Sequence, residues 1–246
     1  MPVLAISAPT RCPTLSLSDG LTSTLTSALI HSLCRLMCSN YRPPRSEALA
    51  QFDIALPGFD YAECYPGSTG PFLASVAPTR WLPGTFGLLP HWAQPKLAKM
   101  TYNARTETVT EKPSFRMAWR HRQLAVIPVQ AFFEPCYKSG KAVRWRIERA
   151  DGRPFGLAGL WESRTTQDGD PWWSFTMLTI NADKHPLMQQ FHKPGDEKRS
   201  VVVLEDDAWA AWMTADREED VRAFLTLFDA ETMRAVEDPR TSTKRV

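Results

Sequence analysis

The chain has 246 residues, a formal net charge of +2, and 43% hydrophobic against 23% charged residues. That balance is ordinary for a globular protein and excludes one that coats nucleic acid by bulk charge, so any nucleic-acid site must be a local patch. No apolar run approaches the ~18 residues that span a bilayer, and five scattered cysteines without C-x-x-C spacing argue against a disulfide framework or a structural zinc; a cytoplasmic, reducing setting fits.

Residues 1–37 are rich in Ser, Thr and Leu, and their only charges are Arg11, Asp19 and Arg35. They lack the basic start and apolar core of a secretory signal. The expectation is a non-native or removed extension, with the protein's own start at Met37. Arg45–Ile54 reads as a helix with Leu49 and Phe52 inward, and 57–71 as a Pro- and Gly-rich loop. Strand-like runs follow at 72–77, 84–89, 123–133, 142–149, 154–161, 172–181 and 200–204. In Val143-Arg144-Trp145-Arg146-Ile147-Glu148 the alternation predicts one wet face. A helix is predicted over 113–121 with Pro113 in its first turn. Near the C-terminus, Asp216 and Glu219 suit a capping box before Val221, Phe224, Leu225 and Phe228. Many short strands and few helices predict a single α+β domain over 38–235, an antiparallel, barrel-like sheet core with peripheral helices. Residues 236–246 read as a polar tail.

Cys38 directly follows a methionine. Loss of Met37 would free both its amine and its thiol. An α-amine has a pKa near ~7.7–8.0 against ~10.4 for lysine, so it is partly uncharged and nucleophilic at neutral pH. With an aldehyde it gives an imine, and the nearby thiol can close a five-membered thiazolidine. A small buried cysteine is the bland alternative. Asn103 can orient an amine or a hydroxyl, and Arg105 can bind a phosphate bidentately; a turn asparagine and a solvated arginine are the alternatives. Glu107 reads as a loop anchor. Glu134 closes the apolar run from Val126 to Phe133, where desolvation favours general acid–base work, or else a structural ion pair. His192 could shuttle protons, with His185 its nearest rival. Basic and aromatic residues interleave at Arg80-Trp81, His91-Trp92, Lys96, Lys99, Arg116, Trp119, Arg120 and Arg122. Stacking on single-stranded nucleic acid suits that pattern, as does a solvated face over core tryptophans.

Together, Met37-Cys38, Val76-Ala77-Pro78-Thr79, Phe86 through Trp92, Asn103 through Thr108, Pro128 through Glu134, Ala158 through Glu162, Thr179 and His192 resemble the SOS-response-associated peptidase family, the abasic-site processing proteins. The resemblance implies covalent capture of abasic sites in single-stranded DNA, with Cys38, Asn103, Glu134 and His192 catalytic. It implies lyase and autopeptidase activities, a monomer, and no metal or organic cofactor. Arg105 and Thr179 would hold the DNA backbone, Arg199 would supply a further arginine, and Pro78, Pro90, His91 and Trp92 would wedge beside the lesion. The chain departs from the family pattern in four places. Ser39-Asn40 stand where Gly-Arg is usual, Ser75 replaces an asparagine, Pro135 replaces a tryptophan, and a longer segment separates His192 from Arg199. Two other readings stay open: an N-terminal-nucleophile amidohydrolase or amidotransferase, and a non-covalent single-strand binder.

Overall fold

A computed structural model describes residues 40–45, 48 and 62–240, all within one compact unit, Leu36–Val246. Met37, Cys38, most of the expected 45–54 helix and residues 241–246 lie outside the described residues.

The strands are β1 (Tyr41–Arg42), β2 (Thr69–Ala74), β3 (Ala77–Phe86), β4 (Asn103–Arg105), β5 (Leu124–Val129) and β6 (Ala131–Cys136), then β7 (Val143–Arg149), β8 (Phe155–Thr165), β9 (Pro171–Asn181), β10 (Arg199–Val201), β11 (Val203–Leu204) and β12 (Met233–Glu237). Helices α1 (Arg116–Arg120), α2 (Trp209–Thr214) and α3 (Glu218–Ala223) are short. Pairing runs β9–β3–β2–β5–β8 and returns from β8 to β9, which closes a five-stranded barrel. Most ladders are antiparallel, but β3 and β4 both run parallel to β9. A second sheet has the order β1–β6–β7–β12. The architecture is the expected α+β, barrel-like domain.

Strand alternation sorts side chains to the two barrel faces. Phe72 of β2 stacks on Phe175 of β9 at 5.1 Å although β3 lies between those strands, a contact made across the interior. Ala125, Ile127 and Val129 join that interior cluster, whereas Leu124 and Val126 face outward with Trp119, Trp209 and Trp212 of the helices. β5 therefore has two buried faces, which is why it reads as an unbroken apolar run. The indole of Trp212 donates to the carbonyl of Ala125 at 2.8 Å and seats α2 on the barrel.

Several expectations change. The 123–133 run is two strands, broken at Gln130, where the chain leaves the barrel for the second sheet. The 84–89 strand begins at Ala77 and ends at Phe86, because Gly87 turns the chain at φ +126°, and a Cβ there would sit 2.1 Å from the carbonyl oxygen of Ala98. Of the expected 113–121 helix only Arg116–Arg120 is helical. The N-cap of α3 is Arg217, without a side-chain cap bond, so Asp216 and Glu219 form no capping box. The expected boundary at 235 falls inside β12, which pairs with β7 from Met233↔Arg149 to Glu237↔Trp145. Trp81 and Trp119 are 1% and 2% exposed and are core residues, not stacking platforms.

Gly159 of β8 lies where the barrel closes. A Cβ there would meet the Thr176 carbonyl oxygen and the Ile127 Cδ1 at 2.3 Å each. Gly159→Ala is expected to lower stability by about 1–3 kcal/mol through overpacking, read as a lower urea midpoint at unchanged slope. An unchanged midpoint would mean that β9 yields freely and that closure is not tight at this point.

Candidate active site

Glu134 and His192 are 58 residues apart in sequence. Glu134 is carried by β6, opposite Trp145 of β7. Phe191 forms an isolated antiparallel bridge with Cys136, and the His192 amide donates to the carbonyl of Pro135 at 2.8 Å. These backbone bonds bring the imidazole Nε2 to 2.9 Å from Glu134 Oε2, with the two residues 5% and 2% exposed. His192 has φ +60°, a left-handed conformation uncommon for a residue with a Cβ. Such strain persists only where the surroundings over-determine it, and it concentrates at functional sites.

The other ring nitrogen, Nδ1, accepts the Arg199 amide at 3.3 Å, a bond that places the proton of the neutral ring on Nε2, facing Glu134. Burial lowers the His192 pKa, but the Glu134 carboxylate raises it further by charge and by hydrogen bond, and the net shift is upward. The shorter 2.9 Å contact to a charged partner outweighs the longer amide bond.

Asn40 joins this pair to the start of the described chain. Its carbonyl accepts the Phe133 amide at 3.2 Å, continuing the β1–β6 pairing, and its side-chain amide donates to Glu63 at 2.9 Å. Asn40, Phe133, Glu134, Pro135, Val143 and Arg144 line a cleft of about 460 Å³, within the size range of ligand sites.

A second constellation surrounds Arg199. Its guanidinium is 2% exposed on the side-chain scale and donates to Glu107 at 2.8 and 2.9 Å, to Glu197 at 2.8 Å and to the Thr179 carbonyl at 2.6 Å. Burial raises the Glu107 carboxyl, but hydrogen bonds from Arg199 and nearby backbone amides bring it below the usual range. Glu107 also accepts the Asn181 amide and so does anchor its loop. Thr179 is 1% exposed. Arg105, about a third exposed, is held by Glu197 at 2.8 Å. Asn103 is half-buried on the same face of β4 as Arg105, in register with Met177 of β9. The Arg199 amide couples this group to His192.

The structure thus joins Glu134, His192, Arg199, Thr179 and Arg105 through consecutive contacts. Pro78 is exposed at the hairpin end of β3, Pro90 is buried, His91 is exposed, and Trp92 is 54% exposed in the following turn. Among the described residues, none of these four shares a hydrogen bond or ion pair with Glu134, His192 or Arg199. His185, the rival histidine, is buried and fixed, its Nε2 2.8 Å from the Phe228 carbonyl oxygen and its Nδ1 accepting two amides. Cys64 is buried, which pushes its thiol up to about 11, out of the nucleophilic range at neutral pH. Among the described residues no three His, Cys, Asp or Glu side chains converge as metal ligands, and no helix is long and apolar enough to cross a membrane.

Sequence reasoning missed Asn40, Glu63 and Arg144. Glu63 and Arg144 are 81 residues apart, and their 2.5 Å ion pair exists only once β1 and β7 flank β6. The usable signal was the Arg144/Arg146 face of β7. It is half-buried where a wet face was expected, because Glu63, Glu148 and Asp238 cover it.

The family model for SOS response associated peptidase (SRAP) matches residues 51–239, and the chain belongs to that family. Among curated proteins it is similar to the abasic site processing proteins YoqW and YoaM of Bacillus subtilis, each 30% identical over 154 residues, or 61% of this chain. The chain spans 65% and 64% of their lengths. A solved structure of a Bordetella bronchiseptica protein is 38% identical at TM-score 0.74, covering 82% of this chain and 100% of that one. A Bacteroides thetaiotaomicron protein shares the fold at TM-score 0.70 and 19% identity, over 81% of this chain and 91% of its own.

Because its folded pKa lies above the ordinary value near 6.5, His192 stabilises the fold fully below about pH 6.5, and that contribution fades as pH rises through the folded pKa. In a histidine NMR titration, His192 is expected to titrate above 6.5 in the wild type and below it in Glu134→Gln, where burial is left unopposed by charge. Equal midpoints in the two proteins would show that the carboxylate does not control the imidazole.

Proposed function

We propose that this protein captures abasic sites in single-stranded DNA, forming a thiazolidine between Cys38, exposed as the N-terminal residue, and the ring-opened sugar. The observation that carries the reading is the buried Glu134–His192 pair, whose carboxylate-bearing strand borders a cleft that Asn40 also lines. Cys38 stands two residues before Asn40 in the sequence. The names of the similar Bacillus proteins support the same substrate.

The α-amine of Cys38 attacks the C1′ aldehyde and forms a carbinolamine. Glu134 takes a proton from the nitrogen and passes one to the hydroxyl, which leaves as water, giving the imine. The thiol sulfur then adds to the imine carbon while its proton passes to the nitrogen through Glu134. The balance is aldehyde plus aminothiol to thiazolidine plus one water, with no change of oxidation state. Asn103 positions the amine and the sugar hydroxyls. His192 relays protons at the sugar and supports reversal. Arg105 meets the DNA backbone; for Arg199 and Thr179 to do so, the Glu107 and Glu197 contacts would have to open. Pro78, Pro90, His91 and Trp92 wedge beside the lesion, with Trp92 the stacking ring. Removal of Met37, or an intramolecular peptidase step on a longer chain, would produce the same free amine.

Protein begun at Met37 is mixed with an oligonucleotide bearing one abasic site and run on a denaturing gel. A heat-stable shifted band is expected that requires both the lesion and Cys38, with Cys38→Ala abolishing it. Glu134→Gln should slow its formation by about 100-fold or more, the scale of general acid–base catalysis. No band from protein whose N-terminal Cys38 is confirmed by mass would reject the reading in favour of amide hydrolysis or passive binding.

A further inference from the structure

A second cleft, of about 780 Å³, adjoins the one bordered by Glu134 and shares Arg144, Pro239 and Arg240 with it. Four arginines line it, Arg42, Arg45, Arg144 and Arg240, against two carboxylates, Glu63 and Asp238. That excess of two positive charges equals the net charge of the whole chain. The arginines are of two kinds. Arg144 and Arg42 are fixed: both pair with Glu63, at 2.5 and 3.4 Å, and their guanidinium carbons lie 3.5 and 5.4 Å from the ring centroid of Phe133. Arg45 and Arg240 are exposed, and Arg240 lies 5.2 Å from the ring of Tyr65, itself 39% exposed. Fixed guanidiniums, solvent-facing guanidiniums and an exposed aromatic ring are what a single strand's phosphates and bases require.

We propose that this cleft is a binding track for the phosphodiester backbone of single-stranded DNA, holding the nucleotides next to the one that enters the Glu134 cleft. The proposal rests on the reading of the chain as a single-strand DNA protein, and adds to it a subsite built from the arginine side of β1 and β7 and the segment after β12. Glu63 and Asp238 hold Arg144 in place, and the charge they leave uncompensated faces the strand. A rival patch at Arg116, Arg120 and Arg122 with Glu218 carries the same formal excess. It lacks both the continuity with the Glu134 cleft and an exposed ring, since Trp119 there is buried.

The test uses a fluorescently labelled single strand without any abasic site, so its result does not depend on bond formation by Cys38. Binding is titrated by anisotropy across a salt series for the wild type, Arg45→Gln/Arg240→Gln and Arg116→Gln/Arg120→Gln, all exposed positions and charge-matched pairs. The first pair is expected to weaken binding and to reduce the slope of log K against log salt by roughly 0.7 for each phosphate that is no longer neutralised. The second pair should leave the slope unchanged. Equal slopes in wild type and Arg45→Gln/Arg240→Gln would overturn the proposal, as would an equal weakening by both pairs, or no wild-type binding at low salt. Covalent capture of an abasic strand, read on the denaturing gel, could survive each of those outcomes.

Discussion

Strand β9 is the constraint on which the rest of the structure depends. Backbone donors and acceptors in a buried strand must be paired, and β9 meets that demand with four partners. Its first half is flanked by β8 and β3, which closes the barrel, and its second half by β4 and β10. The same strand therefore ends the core and begins the site. Arg105 is in register with Thr179 on one edge of β9 and Arg199 with Asn181 on the other, and both guanidiniums donate to Glu197.

The polar groups follow from what burial costs. An arginine as enclosed as Arg199 is tolerated because its charge is paired, and two carboxylates and a carbonyl satisfy its two terminal amino groups. That cluster holds the segment between His192 and Arg199, and the Arg199 amide meets the imidazole. On the opposite side of the same ring, Glu134 is supplied by the second sheet. The histidine sits in the connection before β10 and is fixed from both sides, by the second sheet through Glu134 and Pro135 and by the Arg199 amide.

Much of the strand pattern was legible. The runs at 142–149, 154–161 and 172–181 correspond to β7, β8 and β9, since alternation and β-branched content report local burial directly. What misled was local grammar without its tertiary setting. Asp216 and Glu219 have the spacing of a capping box, yet the helix starts two residues after Asp216. Trp81 and Trp119 have basic neighbours, yet the rings pack inward while the charges face water. Val236 and Glu237, the end of β12, looked like the start of a polar tail because an edge strand over a half-polar face carries little hydrophobic signal, and its pairing with β7 bridges more than 80 residues.

By itself, the sequence determined the class of the fold, the family, and which residue types are available for the chemistry: a cysteine after a methionine, an asparagine and arginine before a threonine, a glutamate closing an apolar strand, and a histidine. Those are properties of local order and spacing. Only the tertiary structure decided that Glu134 and His192 touch, that Arg199 is enclosed by carboxylates, and that four arginines from three separate stretches line one cleft. Such contacts join residues tens of positions apart, and the closure of the barrel and the crossing at Gln130 set them, geometry that no window along the chain contains.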